Sequence, residues 1–524
     1  MIDLSGLSEK LFIVILELVI FLQRQQKIIM KIKVYFGKKD GYKMNNKSVF
    51  SNFIWRFAER CGAQIVTFIV SIVLARILMP EDYGTVALVT VFTTIMQVFV
   101  DSGLSTALIQ KKDADDLDFS SVFYFNFAVC IILYLIMFFG APYIASFYNM
   151  SELTPVVRVI SLTIVISGVK GVQQSYVSRN MLFKRFFYAT LGGTIFSAFL
   201  GITMAYAGFG VWAIVDQQLS NTAIDTLILW ITVKWRPKLM FSWDRLKGLL
   251  GFGWKMLCSA LLDTGYNNLR NLLIGKIYSS SDLAFYNQGD KFPKLIVTNI
   301  NTSIDSVLLP VMSNEQENKE KVKKMTRRSV MVSCFIMAPL MIGLACCASN
   351  VVKIVLTEKW LPCVFFLQIF CITYMLWPIH TANLNAIKAM GRSDLFLKLE
   401  IWKKAIGIIL LLSTMFISVE AMAYSLLIST LASMIINTWP NKKLLNYSFL
   451  EQMKDILPSI LLALGMGVVV YLIGFLPVPT ILLLIIQVIC GGVIYLLGSS
   501  LLKLEPYTYL LGVIKPMIQK RRKV

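Results

Sequence analysis

The sequence predicts an all-α integral membrane protein of about fourteen transmembrane helices. They form two parallel-related six-helix lobes around a central cavity, plus two C-terminal helices. Three observations carry this reading. Apolar runs long enough to cross a bilayer recur from about Phe53 to Leu502. The chain is 56% hydrophobic with a mean hydropathy of +0.68, which excludes an ordinary soluble domain. The gaps between the runs alternate in charge.

That alternation sets the topology. One set of gaps holds clusters such as Lys234, Arg236, Lys238, Arg245 and Lys247, then Lys319 to Arg328, then Lys520 to Lys523. The opposite set holds only Lys276, Lys291, Lys294, Lys353 and Lys359. Basic loops stay cytoplasmic, so both termini are expected inside the plasma membrane and the helix count is even. In a soluble chain a net charge of +21 would suggest nucleic acid. Here it sits on loops facing anionic lipid, and no nucleic-acid partner is expected.

The elements follow in order. Residues 1–47 form a basic N-terminal extension without a spanning helix. Its apolar stretch Leu11 to Leu22 is too short to cross and contains Glu17. The extension reads either as an interfacial amphipathic helix or as sequence upstream of a native start at Met44. Residues 48–233 hold helices one to six, 234–248 a cytoplasmic basic linker, 249–441 helices seven to twelve, 442–503 helices thirteen and fourteen, and 504–524 a basic cytoplasmic tail. Pro80, Pro142, Pro362 and Pro477 are placed at helix ends, where a missing N–H costs nothing. Pro339 and Pro378 fall inside helices nine and ten and are expected to kink them.

The two six-helix blocks echo each other at an offset of 200 residues. Leu74-Ala75-Arg76-Ile77 faces Ile274-Gly275-Lys276-Ile277, Asp82 faces Asp282, and Gly84 faces Ala284. Helices one and seven run the same way, so the repeat axis lies along the membrane normal.

Polar residues recur at helical spacing where lipid would be expected. Helix eight carries Lys291, Lys294, Thr298, Asn301 and Asp305 on one face. Helix seven carries Lys255, Ser259, Asp263, Asn267 and Arg270; helix one carries Arg56, Arg60, Gln64, Thr67 and Ser71; helix two carries Thr90, Thr94, Gln97, Asp101 and Ser105. A charge at bilayer depth costs roughly 2.5–3.5 kcal/mol on insertion scales, so these stripes are expected to line a wet cavity between the lobes. Interhelical hydrogen bonding is the alternative for the Ser, Thr and Asn members. Arg56 and Arg60, Lys255, Asn267, Arg270, Lys291, Lys294 and Asn301 are the candidate substrate-binding residues. Asp101, Asp263 and Asp305 are the candidates for coupling to a proton or Na⁺ gradient.

Enzyme signatures are missing. There is no GxxxxGK[ST] motif, no assemblable Ser-His-Asp set around the single histidine, His380, and no metal-ligand spacing. The nine cysteines contain no CxxC and read as small apolar packing residues. No catalytic residue, cofactor or metal is expected.

Five segments carry a resemblance. Ala75-Arg76-Ile77-Leu78-Met79-Pro80-Glu81-Asp82-Tyr83-Gly84 is similar to the ARxLxPxDYG signature that ends helix one in bacterial polysaccharide flippases. Asp101-Ser102-Gly103-Leu104 through Ile109-Gln110-Lys111-Lys112-Asp113, Gly208-Phe209-Gly210-Val211-Trp212-Ala213, Asp282 to Asn287, and Leu309-Pro310-Val311-Met312-Ser313 resemble the same family in the same order. The family is the lipopolysaccharide and capsule oligosaccharide flippase branch of the multidrug/oligosaccharidyl-lipid/polysaccharide exporter superfamily. The resemblance spans Asn52 to Leu502. It implies a V-shaped cavity, alternating access, and an undecaprenyl-diphosphate-linked oligosaccharide carried across the bacterial inner membrane. It also implies a groove for the prenyl tail at helices thirteen and fourteen, and polysaccharide polymerase and chain-length machinery as protein partners. A multidrug antiporter of the same superfamily is the first rival and would favour an acidic cavity. A membrane glycan polymerase or ligase is the second and would need a large external loop.

Overall fold

The computed structural model describes residues 46–101, 103–111 and 113–512, with side chains described from Gly62 onward apart from Phe252. The extension before residue 46 and the tail beyond 512 lie outside the described residues, as do the side chains of Arg56 and Arg60. The described chain is helical without strands. In the first lobe α1 spans Asn46–Ile77, α2 Pro80–Asp101, α3 Leu104–Gln110, α4 Asp116–Tyr148, α5 Leu153–Ile160, α6 Leu162–Arg179, α7 Phe183–Tyr206 and α8 Val211–Thr232. In the second lobe α9 spans Trp243–Ile277, α10 Ser280–Ser313, α11 Lys319–Cys346, α12 Ala348–Val355, α13 Cys363–Met375, α14 Trp377–Ala389, α15 Ser393–Thr414 and α16 Val419–Leu445. The chain ends with α17 (Phe449–Ile473) and α18 (Thr480–Leu501), then a helical turn pair at 505–512.

Ten of the described helical stretches are long and apolar enough to cross a membrane. The protein is a multi-pass membrane protein. Helices α8, α9 and α15 fall outside that set because they are more polar. In α9 the cause is plain: Arg245, Lys247, Lys255, Asp263, Arg270 and Lys276 all lie on one helix.

Helix starts follow side-chain capping. Asp115 and Asp118 form a capping box on α4, Ser279 and Asp282 on α10, and Ser448 and Glu451 on α17. The Asp115 carboxyl is held below the usual carboxylate range, chiefly by the backbone N–H of Asp118 and also by the Arg245 guanidinium. Between α7 and α8 the Gly-Phe-Gly turn needs glycine, with φ of 82° at Gly208 and 51° at Gly210.

Several sequence expectations shift. Pro142 lies inside α4, which continues to Tyr148. The helix tolerates it because the surrounding packing holds the backbone. Pro378 does not kink a continuous helix; the span divides at Leu376, and Pro378 sits in the first turn of α14, where its ring fits. Pro339 lies inside a continuous α11. The polar stripe ending at Ser105 is broken too, since Ser105 belongs to the separate α3. The basic linker is shorter than expected, because Ser242 accepts from the Arg245 N–H and starts α9 at Trp243.

The repeat is visible in the helix boundaries. α1 ends at Ile77 and α9 at Ile277, and α2 and α10 start at Pro80 and Ser280. Asp82 accepts from the Met79 N–H at 3.0 Å, as Asp282 does from the Ser279 N–H at 3.2 Å. The two turns also meet. Gly84 lies against the backbone of Ser280, so that a Cβ there would overlap the Ser280 carbonyl.

The cores explain the shape. A single cluster joins the lobes at the end where these turns meet. It includes Leu74, Ala75, Leu78, Tyr148, Ile274, Leu283 and Trp360. At the opposite, basic end each lobe has its own smaller core: Leu108, Phe119, Phe186, Leu229 and Trp235 in the first, Met312, Val322, Ala386 and Leu445 in the second. The lobes therefore meet at one end and have separate cores at the other, consistent with a V. Polar bonds reinforce the junction. Arg76 donates to the Val355 carbonyl at 2.8 Å and to that of Ile354; Lys359 donates to the carbonyls of Arg76 (2.9 Å) and Leu78 (2.6 Å); Trp360 Nε1 donates to Ala75 at 2.8 Å.

Helix α9 belongs to both lobes. Its start is tied to the first: Arg245 lies 3.5 Å from Asp118, the Ser242 N–H donates to Ser121 Oγ at 2.9 Å, and Leu246 and Leu249 enter that lobe's core. Its end contacts both lobes: Tyr278 donates to the Met415 carbonyl at 3.1 Å in the second, and Lys276 donates to the Phe147 carbonyl of the first. Helices α17 and α18 attach through α11, with Tyr495 donating to the Phe335 carbonyl at 2.9 Å. Buried amides add to this: Asn383 shares bonds with Gln452 and Asn441.

The junction gives a direct test. Gly84→Val places a branched side chain against a backbone carbonyl that cannot move alone. Overpacking of this kind costs about 1–3 kcal/mol, so the midpoint of thermal unfolding in detergent should fall. Gly492→Ala, where a Cβ meets nothing within 4 Å, should leave the midpoint unchanged or raise it. Equal midpoints for Gly84→Val and wild type would mean that the two turns do not bear on each other.

Candidate functional site

Two adjoining cavities occupy the space between and beside the lobes. The central one, about 420 Å³, is bounded by α1, α2 and α8 of the first lobe and α9 and α10 of the second. Its polar lining is dominated by carboxamides: Gln217, Gln218, Asn268, Asn271, Asn287 and Gln288, with hydroxyls from Thr67, Ser71, Tyr83 and Thr90. Lys291 is the one charged side chain in that wall. Among the described residues it has no carboxylate partner. Carboxamides both donate and accept, so such a wall suits polyhydroxyl groups and also remains satisfied by water.

The second cavity, about 360 Å³, lies within the second lobe and shares Asn271 and Asn287 with the first. Aromatic side chains frame it: Tyr266, Tyr286, Phe370, Tyr374 and Trp377. Arg270, Asn267, Asp290 and Lys294 supply the polar groups. Asp290 is committed: one oxygen accepts from Lys294 Nζ at 2.9 Å and the other from the Tyr374 hydroxyl. Arg270 is less so. It has no carboxylate partner among the described residues. Its Nη2 lies 3.3 Å from Ser425 Oγ, and its buried Nε has no partner.

The candidate residues thus divide. Arg270, Asn267 and Lys294 line the second cavity and Lys291 the central one. Lys255, Asp101, Asn301 and Asp305 line neither. Asp263 is exposed, pairs with Lys404 of α15 at 2.7 Å and accepts from Asn267 at 3.4 Å. Asp305 accepts from Asn385 at 2.9 Å, and Asp101 from Gln97 at 3.1 Å. Asn301 has a buried Oδ1 without a partner. Toward the basic end the α9 and α10 stripes are exposed at Lys255, Ser259, Asp263, Thr298 and Asp305. Helix α10 is the least buried of the ten spans although it is among the most polar. A face of that composition belongs against water, so it marks the open side of the V. His380 lines neither cavity; its Nδ1 lies 3.0 Å from Asn437 Nδ2 and its buried Nε2 has no partner.

Sequence reasoning missed several participants. Lys170 of α6 pairs with Asp225 of α8 at 2.9 Å inside the first lobe. The signal was present, since Lys170 and Asp225 are charges in the interior of α6 and α8, where a partner is needed. Gln217 and Gln218 were also missed, as were the aromatics of the second cavity. Aromatic residues on a transmembrane helix look the same in sequence whether they face lipid or a pocket.

An all-helical molecule with two repeat-related lobes, joined at one end around a polar cavity, has the architecture of an alternating-access transporter. Comparison with known proteins agrees. Residues 73–365 match the polysaccharide biosynthesis protein family, and the chain belongs to it. It is 26% identical to the teichuronic acid biosynthesis protein TuaB of Bacillus subtilis over 72% of this chain and 79% of the relative. It is 23% identical to the succinoglycan biosynthesis transport protein ExoT of Rhizobium meliloti, over 60% of this chain and 64% of that one. It is also 23% identical to the lipopolysaccharide biosynthesis protein WzxC of Escherichia coli, over 63% and 68%. Among solved structures the fold matches the lipid II flippase MurJ in an inward closed conformation, with a TM-score of 0.70 at 16% identity over 86% of this chain and 98% of that one. An inward-facing multidrug MATE transporter matches with a TM-score of 0.57 at 15% identity, over 73% and 94%. The chain is a transporter of this family, not an enzyme.

Gly407 offers a test of the second cavity. A Cβ there would overlap the Tyr266 hydroxyl, the movable end of a side chain that lines the pocket. Gly407→Ala should therefore push Tyr266 into the cavity at a stability cost under about 1 kcal/mol, while lowering transport. Adding Tyr266→Phe removes the clashing hydroxyl and should restore much of the loss. No rescue would place the effect elsewhere.

Proposed function

We propose that this protein translocates a lipid-linked oligosaccharide, carried on undecaprenyl diphosphate, from the inner to the outer leaflet of the bacterial inner membrane for surface polysaccharide synthesis. The observation that carries the reading is the central cavity: a carboxamide and hydroxyl wall between two lobes in which Lys291 has no carboxylate partner among the described residues. A diphosphate is the costliest part of such a cargo to bring through hydrocarbon, and an unpaired cation lowers that cost. Amides then serve the sugar hydroxyls. The groove between α17 and α18, lined by Pro458, Leu461, Leu462, Met466 and Ile494, is apolar and is the proposed seat of the prenyl chain. The basic end faces the cytoplasm with both termini, and the junction end faces outward. Polymerase and chain-length machinery are the proposed recipients of the cargo.

Electrostatics separates this reading from multidrug antiport. Asp290 is the one acid lining either cavity and is already neutralised by Lys294. Lys291 and Arg270 leave the pair of cavities cationic, which disfavours a cationic drug.

Four outcomes test the proposal. Lys291→Gln should lower export at least about tenfold, the scale of one charge-assisted contact, with membrane abundance unchanged. Lys294→Gln should cost less, because Lys294 serves Asp290. Reporters fused after Arg185, Lys247 or Arg328 should read cytoplasmic, and fusions near Met150 or Tyr206 external; an external readout at Lys247 would invert the topology. Asp263 and Asp305 are the proposed coupling acids. Flipping in proteoliposomes should respond to an imposed pH or Na⁺ gradient and lose that response in Asp263→Asn or Asp305→Asn. Identical rates under every gradient would remove coupling.

A further inference from the structure

The cavity in the second lobe has a composition that the diphosphate does not account for. Its cation, Arg270, sits behind an aromatic frame, in a different cavity from Lys291. A guanidinium at this depth normally has a carboxylate. Arg270 has none among the described residues; it has a Ser425 hydroxyl at 3.3 Å, a hydrogen bond to the Tyr286 hydroxyl, and a buried Nε that donates to nothing. The nearest acid on its wall, Asp290, is occupied on both oxygens by Lys294 and Tyr374. The fork therefore has donor capacity left over and points to an anion that arrives with the cargo.

The frame says what kind. Tyr374 and Trp377 meet edge to face with ring centroids 4.5 Å apart, and Trp377 is only partly buried. A partly exposed indole in a pocket wall can offer its ring face to the C–H face of a sugar ring, while Asn267 and Asn271 can bond its hydroxyls. A planar fork matches a carboxylate bidentately, whereas a lysine acts as a point charge.

We propose that the second-lobe cavity is a subsite for an acidic sugar, with a uronate-type carboxylate held by Arg270 and the ring against Trp377 and Tyr374. The inference rests on the flippase reading of the central cavity and deepens it. The cargo carries two anionic centres: the diphosphate toward Lys291 and a carboxylate toward Arg270. The glycan is an acidic one.

Because a carboxylate and a phosphate could both satisfy a guanidinium, the test separates them. Purified full-length protein in nanodiscs is titrated calorimetrically with a glucuronate-containing disaccharide, with its neutral glucose counterpart, and with inorganic pyrophosphate. The uronate should bind at least about tenfold more tightly than the neutral sugar. Arg270→Gln should abolish that preference and spare pyrophosphate. Lys291→Gln should do the reverse. Arg270→Lys should restore the preference only in part, and retained thermal midpoints show that the variants fold. Equal affinity for acidic and neutral disaccharides, or a preference that survives Arg270→Gln, overturns the acidic-sugar subsite. Loss of pyrophosphate binding in Arg270→Gln assigns the guanidinium to the diphosphate and also overturns it. Pyrophosphate binding that ignores Lys291→Gln tells against the central-cavity reading and leaves the uronate result to stand by itself.

Discussion

The closed junction between the lobes is the constraint on which the rest of the molecule depends. It is built from helix ends. The last carbonyls of a helix carry partial negative charge and lack intrahelical donors. Here each lobe supplies donors to the other's exposed carbonyls: Arg76 of α1 reaches the end of α12, and Lys359 and Trp360 reach back to the end of α1. Gly84 lets the backbones of the two repeat-related turns touch. With that end closed around a shared core, the polar stripes of α9 and α10 must diverge from it. The cavity is what lies between.

The same junction explains why the internal repeat is legible. Asp82 and Asp282 do the same local work, accepting from the backbone N–H three residues earlier to start α2 and α10. Gly84 and Ala284 differ because the lobes meet asymmetrically. Only one partner of a close backbone contact must lack a side chain, and that is Gly84. A parallel repeat whose halves contact each other through equivalent turns keeps the features needed for the turn and diverges in those needed for the contact.

Much of the fold was legible for simple physical reasons. Helices in lipid must satisfy their own backbones, so an apolar run of sufficient length has few alternatives. The stripes on α9 and α10 were legible for the same reason, as charges have nowhere cheap to go. What the stripes could not reveal was pairing. Lys294 and Lys291 are three residues apart, yet Asp290 holds one while the other has no carboxylate partner. Asp263 looked like a buried acid with a cation nearby on its own helix; its partner is Lys404, from a helix 141 residues later. Arg270 could be placed on the cavity face from spacing alone, but its missing counter-ion and aromatic frame depend on α13, α14 and α16. Helix ends were the weakest reading, because Pro142 and Pro378 act differently according to what packs around them.

The distribution of charge also constrains how the lobes divide the work. In the first lobe the buried charges Lys170 and Asp225 neutralise each other away from the central cavity. Among the described residues, that lobe lines the central cavity with amides, hydroxyls and apolar side chains. In the second lobe α9 and α10 supply Arg270 and Lys291, the cavity-lining cations without a carboxylate partner among the described residues. On the reading proposed above, an anionic cargo in the shared cavity is held electrostatically by one lobe and by hydrogen bonds to the other. Hydrogen bonds to flexible carboxamides can be exchanged with water at modest cost, whereas a desolvated ion pair cannot. In the proposed cycle, rocking of one lobe against the other exchanges the amide contacts while the charged contacts persist, and α9, held at its start by the first lobe and lining the second-lobe cavity further on, is the element along which that motion is taken up.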